Sequence, residues 1–226
     1  MNAAAALSVI RPINNLRKDR LSWLAEQSRL VSLKKNEVLF RRGEEIRLYF
    51  GVVEGSLELV FPSPDARQPR VLAIVRKGDL FCDVPAILHT PQLVSAIAMG
   101  PSTVARIPAE AIGQIMAQDC DFAAAMLEHL ATASQHLVQE IEDLTTRNAM
   151  QRVVCYLLRH GPKVASKSFE MTLPASKKAV ASQLNLSQET FSRVLHQFAE
   201  RGLVRIEGRI LTVLDRDRLG AMMGAA

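Results

Sequence analysis

Residues Ser176-Lys177-Lys178-Ala179-Val180-Ala181-Ser182-Gln183-Leu184-Asn185-Leu186-Ser187-Gln188-Glu189-Thr190-Phe191-Ser192-Arg193-Val194-Leu195 decide how this chain folds. Val180, Leu184, Leu186, Phe191, Val194 and Leu195 recur at helical spacing on both sides of a short break, and Ala181 is small where two helices would cross. Asn185 stands in the break, and Asn accepts the left-handed backbone better than other residues that carry a side chain. Ser187 is placed to cap the second helix. The pattern predicts a helix-turn-helix. At the start of its second helix Gln188, Glu189, Ser192 and Arg193 would then present groups to base edges in a major groove, with Thr190 touching a phosphate or a thymine methyl and Ser187 beside them on the DNA.

The flanks extend the motif. Phe169 to Leu173 alternates as a strand, Gly202 stops the second helix, and Leu203 to Val213 reads as a hairpin turning at Glu207-Gly208. That hairpin makes a wing. Arg205 and Arg209 beside its turn, with Lys177 and Lys178, are candidate phosphate contacts that position a protein on DNA without reading sequence. Charge supports this end as the anion-binding one: residues 147–226 carry 13 Lys/Arg against 6 Asp/Glu, residues 1–146 carry 15 against 17.

Upstream, a helix is expected over Ala149 to Arg159, stopped by His160-Gly161-Pro162, with a hinge at Thr145 to Asn148. Before it, Met116, Cys120, Ala123, Leu127, Leu130, Ser134, Leu137, Ile141 and Leu144 recur in alternating steps of four and three. This heptad seam predicts one long helix over 108–146 that pairs two copies of the chain, and an amphipathic helix packed on its own domain would show the same stripe.

From Lys35 to Ile107 short apolar runs alternate with turns such as Pro62-Ser63-Pro64-Asp65, and Gly43, Gly55 and Gly78 fall at breaks. An antiparallel barrel or roll is expected there. The fold class is therefore α+β: a β-roll over 1–107, a dimerisation helix over 108–146 and a winged helix-turn-helix over 147–226.

Three separated cysteines, Cys82, Cys120 and Cys155, make neither a disulfide framework nor a four-thiolate iron–sulfur site. No uncharged apolar run reaches the about 18 residues a membrane helix needs, and the alanine-rich start lacks the pattern of a signal peptide. A cytoplasmic protein is expected, with no membrane partner. No catalytic triad, Cys-His pair or phosphate loop can be assembled.

Roll, long helix and winged helix-turn-helix in this order resemble the Crp/Fnr superfamily of transcription regulators over nearly the whole chain. The resemblance is densest at Asn148-Ala149, Arg152-Val153-Val154, Tyr156-Leu157-Leu158, Gln188 to Arg193 and Leu214-Asp215-Arg216-Asp217-Arg218-Leu219. Within the superfamily it is greatest for the Dnr-like branch, the regulators of dissimilatory nitrate respiration. It implies a homodimer on double-stranded DNA that works with RNA polymerase. The Glu189, Ser192, Arg193 arrangement implies TTGAT half-sites in an inverted repeat.

The same resemblance places an effector pocket at Gly78-Asp79-Leu80-Phe81-Cys82, with His89 near it. Leu93-Val94-Ser95-Ala96 supplies no arginine for a cyclic nucleotide phosphate, and the N-terminal cysteines of an oxygen-labile cluster are missing. Haem, and through it nitric oxide sensing, is the remaining option the resemblance implies: Cys82 matches a thiolate ligand, Val84 stands where a histidine would follow, and His89, His129 and His136 are other candidates for axial ligands. Two different readings stay open: a DNA-binding protein whose roll is only a scaffold, and a cupin-like enzyme, for which this roll offers His89 alone as a metal ligand.

Overall fold

A computed structural model describes residues 2–62, 69–162 and 166–224. The chain forms two compact units, 1–135 and 136–226. The first begins with α1 (Ala3–Leu7) and α2 (Lys18–Gln27), followed by β1 (Arg29–Leu33), β2 (Val38–Phe40), β3 (Leu48–Glu54), β4 (Ser56–Phe61), β5 (Arg70–Arg76) and β6 (Leu80–Phe81). Then come α3 (Asp83–Leu88), β7 (Ser95–Ala98), β8 (Ser102–Pro108), α4 (Ala109–Gln118) and α5 (Cys120–Thr146), which runs across the division. The strands form two antiparallel four-stranded sheets, ordered β1-β8-β3-β6 and β2-β7-β4-β5. The expected α+β class and the roll are thus present. Residues 63–65 of the expected turn lie outside the described residues.

Gly43, Gly55 and Gly78 all have positive φ, as their positions at breaks suggested. At Gly55 the need is steric as well, since a Cβ there would meet the backbone oxygen of Pro101 at 2.6 Å.

The strands do not follow the simple alternation of a half-exposed sheet. Phe50 and Val52 of β3 point into the roll, where the rings of Phe40, Phe50 and Phe81 pack at 5.0 to 6.4 Å between centroids. Tyr49 and Val53 point the other way, into a second core with Leu7, Ile10, Ile13, Leu24 and Ile112. Period two is kept, but helices cover the outer face, so β3 is buried on both sides.

The helix expected over 108–146 is two helices. Asp119 takes an extended backbone (φ −138°, ψ 95°) between α4 and α5, and its Oδ1 accepts the Phe122 N–H at 3.0 Å, an N-cap for α5. Arg20 holds the same carboxylate at 2.8 Å. Met116 consequently belongs to α4 and packs against the roll's second core, so it drops out of the seam. Phe122 and Met126, off the seam, are buried in that core and dock the start of α5 on the roll.

The second unit holds the end of α5, then α6 (Ala149–His160), β9 (Phe169–Thr172), α7 (Lys177–Gln183), α8 (Gln188–Glu200), β10 (Val204–Glu207), β11 (Ile210–Val213) and α9 (Arg216–Ala221). An Asn148/Gln151 capping box starts α6. Its turn from α5 is braced by Asp143, a buried carboxylate that pairs with Arg147 and, at 2.9 Å, with Arg159. β10, β11 and β9 form an antiparallel sheet in that order, and Val180, Ala181, Phe191, Leu195, Phe198 and Leu211 are fully buried in the core of this unit.

Candidate nucleic-acid interface and effector segment

α7 and α8 are the two helices of the helix-turn-helix. Leu184 closes α7, Asn185 takes the left-handed backbone at φ 54°, and the Leu186 N–H returns to the Ala181 carbonyl at 2.9 Å. Each step follows from the local residue: Asn for the turn, a small Ala where the chain doubles back. Ser187 then caps α8, its hydroxyl accepting the Thr190 N–H at 3.1 Å and donating to Thr190 Oγ1 at 3.0 Å.

The open end of α8 is polar and uncommitted. Ser187, Gln188, Glu189 and Arg193 are exposed, Thr190 and Ser192 half-buried. Among the described residues the side chains of Gln188, Glu189 and Arg193 make no hydrogen bond or ion pair. The hidden face of the same helix is Phe191, Val194, Leu195 and Phe198, so α8 is fixed by its apolar side with its polar side outward.

The surrounding cations divide into two kinds. Lys178 and Arg205 are exposed and Lys177 half-buried at the start of α7. Arg209 is also exposed, but its Nη2 and Nε both donate to the Leu173 carbonyl, at 2.7 and 3.2 Å. The wing turn itself is Gly208-Arg209, between the paired Glu207 and Ile210, one residue later than the sequence suggested.

Along α5, Leu127, Leu137, Ile141 and Leu144 of the seam are exposed large apolar side chains, Ser134 and Cys120 are exposed, and Ala123 and Leu130 are half-buried.

In the roll the effector segment is largely buried. Gly78, Leu80 and Phe81 are buried, Asp79 and Cys82 are half-buried, and His89 is exposed. Cys82 has a left-handed backbone (φ 69°), which swings the chain into α3 and buries Asp83. Asp83 Oδ2 lies 3.0 Å from His129 Nε2 on α5, a contact that sequence reading missed because its partners are 46 residues apart. Asp83 Oδ1 is buried without a hydrogen-bond partner among the described residues.

The electrostatics centre on that carboxylate. Burial, then the charge of Asp83, pushes the Cys82 thiol well up, and the same causes push the Tyr49 phenol up to about 12. Haem ligation needs the thiolate, which this setting disfavours. Val84 is exposed where the imidazole would stand, and His129 is committed to Asp83. The segment therefore places no uncommitted imidazole directly beside the Cys82 thiol. Among the described residues no group of three or more His, Cys, Asp or Glu side chains is placed to hold a metal ion.

The hydrogen bond that His129 donates to the Asp83 carboxylate raises the His129 pKa, with burial acting against it. A raised folded value means the pair stabilises fully below the ordinary imidazole range near about 6.5. That contribution is lost as pH rises through the folded value. Urea midpoints of the chain are expected to fall with pH above that range more steeply than those of Asp83→Asn. Equal slopes for the two proteins would show that the pair does not couple protonation to stability.

Comparison with known proteins agrees with this geometry. The cyclic nucleotide-binding domain family matches residues 30–119, and the Crp-like helix-turn-helix domain family matches residues 151–222. The chain is 25% identical over 209 residues to the transcriptional activator protein Anr of Pseudomonas aeruginosa, covering 91% of this chain and 84% of that protein. It is 22% identical over 216 residues to the fumarate and nitrate reduction regulatory protein of Salmonella typhi, covering 94% and 84%. Among solved structures, FixK2 from Bradyrhizobium japonicum shares the fold with a TM-score of 0.74 at 24% identity, over 88% of this chain and 98% of that one. No helix among the described residues is long and apolar enough to cross a membrane. With a cyclic-nucleotide-type roll preceding a Crp-type reading head, the protein belongs to the Crp/Fnr family of DNA-binding transcription regulators.

Proposed function

We propose that the chain acts as a homodimer on an inverted repeat of TTGAT-type half-sites and, with RNA polymerase, controls transcription in response to a signal received by the roll. The observation that carries this reading is the outward, unpaired Glu189 and Arg193 at the capped end of α8. A guanidinium can donate twice to guanine and a carboxylate can accept from cytosine amine. Lys177, Lys178 and Arg205 supply phosphate contacts that set the register. Dimerisation would run along α5, whose exposed Leu127, Leu137, Ile141 and Leu144 stand in water in the single chain. The working division is a roll at 1–107, pairing helices at 108–146 and a reading head at 147–226.

The signal is proposed to act through the segment 78–82, since Asp83 beside it touches α5 through His129. A ligand shifts the protein only by its differential affinity for two arrangements. The hinge at 145–148, held by Asp143, is where the reading heads would turn.

Fluorescence anisotropy with TTGAT-type and TGTGA-type palindromes tests the reading. Tighter binding to the TTGAT-type duplex is expected, and preference for the other would overturn the operator assignment.

A further inference from the structure

α7 has seven residues, too few to hold a helix alone, yet its placement fixes where α8 starts. Two arginines from outside the helix-turn-helix grip its ends. Before α7, Arg209 of the wing turn gives two side-chain hydrogen bonds to the Leu173 carbonyl, and the Leu173 N–H donates to the Arg209 carbonyl at 2.8 Å. Leu173 is fully buried, so this clamp joins the wing to an immobile point of the core. After α7, Arg152 of α6 donates from Nη1 to the Leu184 carbonyl at 3.0 Å. Leu184 is the residue just before the left-handed Asn185, where α7 exposes its negative dipole end. Arg152 is half-buried, with its Nε covered and without a partner among the described residues.

We propose that Arg152 and Arg209 are positioning residues that brace α7 from both ends and so set the angle at which α8 presents Glu189 and Arg193. Neither belongs to the phosphate contacts. For Arg209 this proposal replaces the phosphate contact that its charge and place beside the wing turn suggest in the sequence. It rests on the DNA-reading function proposed above, and it identifies side chains that touch no base yet determine discrimination.

The two hypotheses separate on wild-type behaviour. A duplex selected by the wild-type chain from a randomised pool is titrated beside a scrambled duplex over a range of salt. If the wild-type chain shows no preference between them, the DNA-reading account fails before any variant is made. Given that preference, Arg152→Ala and Arg209→Ala are each expected to weaken binding to the selected duplex by about tenfold, the scale of one charge-assisted hydrogen bond. Scrambled-duplex affinity and the slope of log Kd against log salt should stay at wild-type values. Arg152→Lys, which keeps the charge and one donor, should recover part of the preference; it also serves if the alanine variant does not fold. Equal weakening on both duplexes with a slope smaller by about 0.9 would make either arginine a phosphate contact and overturn the proposal. A lowered melting temperature with an unchanged ratio of the two affinities would reduce the residue to a stabilising role, and overturn it equally.

Discussion

Leu137→Glu combined with Ile141→Glu is expected to leave the chain folded and to weaken operator binding by about 10²–10⁴-fold, the advantage that linking two reading heads confers. Both side chains are exposed in the single chain, at 52% and 61%, so their loss removes little packing within the protomer. A pair of carboxylates facing their equivalents across a two-fold axis would bring four like charges into one seam. Sedimentation should show a monomer, and circular dichroism an unchanged helix content. A variant that stays dimeric with full affinity would remove α5 from the interface.

The second large effect concerns base reading. Arg193→Ala is expected to lose about 1–3 kcal/mol of discrimination at one base pair, with affinity for other sequences much less affected. Glu189→Ala should relax a different position by a similar amount. The geometry supports this division, because both side chains are exposed and unpaired while Phe191 and Val194 hold the helix from below. Lys178→Ala provides the contrast, since loss of a phosphate contact weakens every duplex alike and flattens the salt dependence. If Arg193→Ala behaved like Lys178→Ala, α8 would be lying on the backbone instead of in the groove.

The reading head was legible because its chemistry is local. Asn185 needs only its own backbone freedom, Ser187 only the N–H three residues on, and the apolar spacing of Phe191, Val194 and Leu195 is that of one helix face. Where the contact lies far along the chain, sequence spacing says little. The Asp83–His129 pair and the clamp of Arg209 on Leu173 join residues 46 and 36 apart, and no periodicity encodes them. The roll strands were recognisable, but the burial of β3 on both faces depended on α1, α2 and α4 covering it.

The broken helix at Asp119 marks a different failure. The apolar repeat continues through Met116 and Cys120 as though the helix did, whereas Asp119 with Asp121 just after it carries the signal of a new helix start. Apolar spacing alone cannot see that start, and Met116 falls on α4 against the roll. The effector segment shows the same limit. Cys82 looks like a ligand by position, yet burial and the neighbouring carboxylate push its thiol pKa up, a property of surroundings that the sequence does not display.

The central claim is that two copies, paired along α5, place the capped ends of their α8 helices in successive major-groove faces about 34 Å apart. Its most direct test is sedimentation of the chain with a TTGAT inverted-repeat duplex, combined with footprinting of the bound DNA. The account predicts two chains per duplex and two protected major-groove patches one helical turn apart; one chain per duplex, or protection indifferent to the repeat, would contradict it.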